Sequence, residues 1–199
     1  LASLDALYDA RDDIRLIVCR QEGGAAYMAD AYGKLRGKPG ICFVTRGPGA
    51  TNASLGIHTA HQDSTPVILF VGQVGRAMMD REAFQEVEFR QMYAPLCKWV
   101  SQIDDPSRIP EMVARAFHVA MSGRPGPVVL ALPEDMQKEM AAANDARPYV
   151  PTQPAPDQDA MARLRAILSE SRKPMVIVGG SGWTADSVTD FRAFIEDND

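Results

Sequence analysis

Cysteine is scarce in this chain, three in 199 residues, at positions 19, 42 and 97. That odd count, at those spacings, supplies neither a disulfide framework nor a metal-ligand pair. Cys19 and Cys42 stand inside apolar runs and read as small buried hydrophobes. No apolar run approaches the length of a bilayer span; the longest, PVILFVG from Pro66, is strand-sized, so no membrane partner is expected. No basic block occurs and the formal net charge is −5, which argues against nucleic acid as a partner. A basic-apolar-small leader is missing from the start, and with so little cysteine a cytoplasmic home is the expectation. There is no internal repeat of solenoid length. The sequence opens at Leu1 rather than Met and stops at Asp199 inside a pattern; a piece of a longer chain is expected.

Hydrophobic residues make up 46% and charged residues 24%, the balance of a globular protein rather than a disordered one. Strand-like apolar runs occur at 14–19, 40–45, 66–72, 98–103, 127–132 and 174–179. Several are apolar on both faces, as parallel strands covered by helices on each side must be. Helical spacing marks 22–36, 50–62, 106–121 and 157–170, and Val113, Ala116, Phe117 and Ala120 form an apolar stripe in the third. The alternation predicts an α/β fold: an open, mostly parallel sheet with helices on both faces. Residues 141–156, rich in Ala and Pro, read as a linker. The expected organisation is therefore a first domain over 1–140, the linker, and the start of a second α/β domain over 157–199.

Ligands of open α/β sheets bind beyond the carboxyl ends of the strands. Behind the expected strands stand Arg20 to Gly24, Arg46 to Asn52, Gly72 to Val74 and Pro133 to Asp135. Glu22 follows a strand-like run and begins a helix. An acid there complements the positive helix end whatever its function. The small residues Ala26, Ala29 and Gly33 lie on its helix face and suit close approach of another helix. Gly47-Pro48-Gly49 could fix a tight turn or cradle a polar ligand; it is neither the P-loop nor the dinucleotide pattern. His58 and His61 sit three apart with no carboxylate-histidine cluster to complete a metal site, so no metal ligands are assigned. His118 reads as structural.

Glu22-Gly23-Gly24-Ala25, TRGPGATN (45–52), STPVILFVGQV (64–74), AFQE (83–86), CKW (97–99) and SGRPGPVVLALPED (122–135) stand in the order and spacing of thiamine-diphosphate-dependent enzymes. Over about residues 4 to 140 the chain resembles the N-terminal, pyrimidine-binding domain of the acetolactate synthase type. The resemblance implies that Glu22 is catalytic, bonding N1′ of the cofactor's aminopyrimidine and sharing a proton with it. That is general acid-base work relayed through a ring, and it asks for a largely apolar site. The resemblance also implies that Pro48 and Asn52 pack around the ring, that Gln73 faces the reacting end, and that Phe84, Gln85 and Lys98 lie near the substrate channel. From the residues alone Gln73 could cap a strand end, Phe84 could be core, Lys98 could be solvated and Asn52 could bond the turn backbone. Arg46 could meet an anionic substrate or be an exposed helix-start arginine.

The implied activity is decarboxylation of a 2-oxo acid such as pyruvate and carboligation to a second carbonyl. A 2-oxo acid decarboxylase, or a non-catalytic nucleotide-binding module, is the alternative. The implied assembly is a homodimer or homotetramer, and the Ala26-Ala29-Gly33 stripe fits a helix packed across its subunit interface. The family's Mg²⁺ and diphosphate site belongs to a domain that nothing here matches, and its first strand region is also missing, so this piece alone is expected to be inactive. FAD, carried by some members on the central domain, is a further possible cofactor. Two departures stand out: Gln21 where the family often has His, and Arg46 where a small hydroxyl residue is usual.

Overall fold

A computed structural model describes residues 2–152, 154–180 and 182–198. Leu1, Gln153, Ser181 and Asp199, which fall in the expected first domain, linker and second domain, lie outside the described residues. The chain divides into two compact units, Leu1–Tyr149 and Val150–Asp199.

The first unit runs α1 (Ala2–Asp9), α2 (Glu22–Arg36), β1 (Gly40–Val44), α3 (Gly47–Gln62), β2 (Val67–Gln73), α4 (Phe89–Tyr93), β3 (Trp99–Gln102), α5 (Ile109–Met121) and β4 (Pro127–Pro133). The strands form one sheet in the order β1-β2-β4-β3, parallel throughout. β2 shows why its sequence is apolar without alternation. Val67, Leu69 and Val71 point into one core with α2, α3 and α4, while Ile68 and Phe70 point into a second core with α5. Each such side chain, fully buried, stabilises the fold by roughly 1.5–3 kcal/mol relative to exposure. Cys42 and Cys97 lie in the first core, where burial pushes their thiols up to about 11 and about 12 and leaves them as packing groups rather than nucleophiles.

α2 and α3 pack at close range because small residues line their contact. A Cβ on Gly56 would stand 2.6 Å from Cβ of Ala26, and one on Gly33 2.6 Å from the carbonyl of Pro66. The stripe Ala26-Ala29-Gly33, expected to meet another subunit, is thus buried against this chain's own α3 and sheet. α2 ends at Gly37, whose φ of 59° closes the helix in the left-handed region with its N–H on the Gly33 carbonyl.

Three sequence expectations are corrected. Residues 14–19 are not a strand: they pair with no other strand and are largely exposed, with Val18 88% accessible. A strand exists only through hydrogen bonds to a neighbour, and β1, at the sheet edge, bonds to β2 alone. Cys19, carried by that run, is therefore half-buried beside Met28 rather than in the core. Residues 174–179 are likewise exposed and unpaired.

The second unit contains α6 (Gln158–Glu170) and α7 (Ala185–Asn198). Neither helix has a buried residue among those described; Trp183 meets Phe191 edge-on at 5.7 Å. No helix among the described residues is long and apolar enough to cross a membrane.

Candidate functional site

The carboxyl ends of the strands and the amino ends of α2 and α3 meet at one edge of the sheet. α2 begins there because Gln21 caps it: its Oε1 accepts the Gly24 N–H at 2.8 Å. So the residue that departs from the usual histidine has a local task, which its absence from the usual list of capping residues concealed. Glu22 is the first helical residue and is half-buried. From the second turn of α3, Asn52 Nδ2 donates to Glu22 Oε2 at 3.1 Å. A Cβ on Gly23 would stand 3.2 Å from the Asn52 carbonyl, so glycine is what lets the two helix starts come together. Pro48 opens α3 and is exposed beside them. Glu22, Pro48 and Asn52 are thereby brought to one place, and among the described residues Glu22 Oε1 accepts no hydrogen bond. The apolar enclosure expected around Glu22 is incomplete in a single chain.

Gln73 reaches the same edge but its amide is engaged by protein at both ends. Nε2 donates to the Val87 carbonyl at 2.9 Å, and Oε1 accepts the Val74 N–H at 2.9 Å. It fastens the loop after β2, residues 75–88, whose carbonyls are also held at Gln85 by the Gly47 N–H at 3.0 Å. This loop has Asp80, Glu82 and Gln85 at φ of 61°, 54° and 66°, each a left-handed residue other than glycine costing about 1–3 kcal/mol. Glu86 offsets that cost from inside the loop: its carboxylate accepts Asp80 N–H at 2.7 Å and Ala83 N–H at 2.9 Å. Phe84 is 80% exposed at the tip and so is not core; Gln85 is half-buried beneath it.

The Ala83 and Asp80 amides hold the Glu86 carboxyl below its ordinary value of 4.5. A folded value below the unfolded one means that the contribution is complete above the ordinary value and is lost as pH falls through the folded one. The loop is therefore expected to stay protected at about pH 5 and to open only on further acidification. Amide exchange of Asp80 and Ala83, normalised to β2 amides, measures this; opening already complete near neutrality would contradict it.

Arg46 caps α3 without a side-chain capping bond. Its guanidinium instead crosses the edge, Nη2 to Glu134 Oε2 at 2.9 Å and Nη1 to the Phe84 carbonyl at 3.3 Å. Behind it opens a cavity of about 360 Å³ whose floor includes Phe43, Phe70 and Leu132. Neither Arg46 nor Glu86 was assigned a role from the sequence. The AFQE motif did contain Glu86, but an acid beside a loop carries no signal of the amides it will meet.

Lys98 is not brought to this edge. Its N–H bonds the carbonyl of Pro127, the first residue of β4, and its Nζ donates to the carbonyls of Val119 and Ser122 at the end of α5. It lies at the amino end of the strands, about 20 Å along β4 from Pro133 at the usual rise per residue. Burial of its ammonium lowers its pKa, consistent with a lysine satisfied by carbonyls. His58 has its Nε2 3.4 Å from Nε2 of Gln62, and His118 meets Tyr149 edge-on.

Comparison with known proteins gives this arrangement a context. Residues 1–92 match the family described as thiamine pyrophosphate enzyme, N-terminal TPP binding domain. The chain is 40% identical over 197 residues to the acetolactate synthase large subunit of Lactococcus lactis, covering 96% of this chain and 34% of that protein. It is 38% identical over 173 residues to the chloroplastic acetolactate synthase of Arabidopsis thaliana, covering 84% of this chain and 26% of that protein. The crystal structure of benzoylformate decarboxylase from Polynucleobacter necessarius superposes with a TM-score of 0.80 at 29% identity, over 87% of this chain and 33% of that one. The chain spans about a third of the length of the curated relatives it matches.

Proposed function

Because residues 1–92 belong to the N-terminal TPP-binding family of the thiamine pyrophosphate enzymes, we propose that the chain is the cofactor-activating part of an acetolactate synthase-like enzyme. The observation that carries this reading is the Glu22 carboxylate at the carboxyl edge of the sheet, held by Asn52 through one oxygen with the other open. Thiamine diphosphate, when bound, supplies the electron sink that decarboxylation of a 2-oxo acid needs. Glu22 would hold or release a proton at Oε1 toward a ring nitrogen. Asn52 fixes the carboxylate's orientation, and Pro48 offers an apolar surface beside it. Phe84 and Gln85 form the mouth on the substrate side; Gln73 keeps that mouth in place. Lys98 is left out of the proposed site.

The donor set fits the pyrimidine side of the cofactor and not its diphosphate side. Among the described residues no three His, Cys, Asp or Glu side chains form a metal cluster, so Mg²⁺ and the diphosphate are assigned to residues beyond this chain. A second copy completes the site in this reading. Met28, Tyr32 and Leu35, one helical stripe of α2, are exposed and would be covered as a homodimer or a higher assembly forms. A cytoplasmic location agrees with cysteines that are all unpaired. FAD bound by the full-length protein would show as a yellow colour on purification.

Ligase and simple decarboxylase outcomes differ in what the activated substrate meets next, a carbonyl or a proton. The identity to acetolactate synthases over most of the chain favours the first. Titration of the full-length protein with thiamine diphosphate and Mg²⁺, followed by pyruvate consumption and product analysis, tests it. Saturable binding with acetolactate formed is expected. Acetaldehyde as sole product would favour the decarboxylase, and no binding would remove the reading.

A further inference from the structure

We propose that Arg46 is a positioning residue, a strut that fastens the strained 75–88 loop and sets the mouth formed by Phe84 and Gln85. Three observations converge on it. First, the position before a helix favours a short polar side chain that can accept the orphan N–H groups of the first turn. Arginine cannot accept a hydrogen bond, and Arg46 makes no capping bond. Second, its guanidinium ties the tip of the loop to the segment just past β4, a segment that Arg76 holds only at the start of the loop, through Asp135. Glu134, just past β4, receives Nη2 at 2.9 Å, and the Phe84 carbonyl receives Nη1 at 3.3 Å. A serine or threonine there could not reach either. Third, the loop needs outside support, because Asp80, Glu82 and Gln85 are all left-handed. Its carbonyls are held in series by Arg46 at Phe84, by the Gly47 N–H at Gln85 and by Gln73 at Val87. Two of those three donors are adjacent residues, so the turn that opens α3 and the loop move as one piece.

The planar fork explains why arginine rather than lysine stands here: it serves a carboxylate and a carbonyl at once from a fixed geometry. In the pair with Glu134 the Arg46 side chain is 28% exposed, enough burial to order it. The activity arm of the test rests on the proposed thiamine-diphosphate reading; the loop arm does not.

In the full-length protein, Arg46→Ser, Arg46→Lys and Glu134→Gln are compared with the unmodified enzyme. Hydrogen exchange of peptides covering 75–88 is expected to quicken at least tenfold in Arg46→Ser, less in Glu134→Gln, and to recover in part in Arg46→Lys, with β2 and β4 unchanged. KM for pyruvate should rise at least fivefold in Arg46→Ser while kcat falls less than KM rises, since a displaced mouth weakens binding more than proton transfer at Glu22. Loop exchange within twofold of the unmodified protein in Arg46→Ser overturns the strut. Should that variant not fold, unchanged loop exchange in Glu134→Gln overturns it. Failure of the unmodified protein to bind thiamine diphosphate would remove the cofactor reading, and the exchange data would still decide the strut.

Discussion

Replacing Glu22 with glutamine in the full-length protein is expected to lower turnover by about two to four powers of ten, the range of a positioned acid or base. The substitution is close to isosteric. Its carbonyl oxygen can still accept from Asn52, which now meets Oε2 at 3.1 Å, and the amide still sits at the positive end of α2. The change removes the capacity to take up and release a proton, together with a charge whose interaction with the helix end is worth about 0.3–1 kcal/mol. Folding and cofactor binding should therefore survive, and the loss should fall on kcat rather than on the thiamine diphosphate titration. Near-normal turnover would remove Glu22 from catalysis. Collapse of the thermal transition would mean that the carboxylate is structural.

Gly40→Ala should be the most damaging small substitution in the first unit. A Cβ at position 40 would stand 2.0 Å from the carbonyl oxygen and 2.8 Å from Cα of Ala29. Both are backbone atoms in the middle of α2, so no side chain can swing away. Either α2 leaves the sheet or β1 loses its register on β2, where Gly40 pairs with Val67. We expect a loss of about 3 kcal/mol or more, above the ordinary cost of overpacking, seen as a transition roughly 10 °C lower. Gly24→Ala serves as the contrast. Its nearest neighbour would be 3.9 Å away, it lies in the exposed first turn of the same helix, and alanine should be neutral or mildly stabilising there. Equal losses in both variants would mean that the α2–sheet contact is looser than the atomic positions imply. The consequence for the site is direct, because the seat of α2 on the sheet sets where Glu22 meets Asn52.

The same close packing shows where reading the sequence succeeded and where it could not. The runs 66–72 and 127–132 are legible as covered parallel strands, since burial on both faces removes polar residues from both, while 40–45, just as apolar, is an edge strand with Ile41 exposed. The run 14–19 is just as apolar, yet it is unpaired. Apolar content records a tendency to be buried, whereas a strand is a relation to a partner's backbone. The stripe Ala26-Ala29-Gly33 was legible as a close contact, but small residues do not say which helix they admit. Lys98 illustrates a missed inference rather than a hidden one. It directly precedes β3, and a residue before a strand lies at the amino end of a parallel sheet, away from the edge where ligands bind.

By itself, then, the sequence determined the alternating α/β pattern, the strands whose two faces are covered, the helix that Glu22 begins and the motifs that place it among thiamine-diphosphate enzymes. The first three follow from neighbours within a few residues of one another, and the last from the order and spacing of six short segments. Only the tertiary structure decided that Asn52 holds Glu22, that Gln73 is engaged by the loop, that Phe84 projects from it, and that Arg46 reaches Glu134 across 88 positions. Local pattern fixes backbone period and burial. The partner of a polar side chain is fixed by where the sheet and its crossovers bring distant segments together, and no local period encodes that.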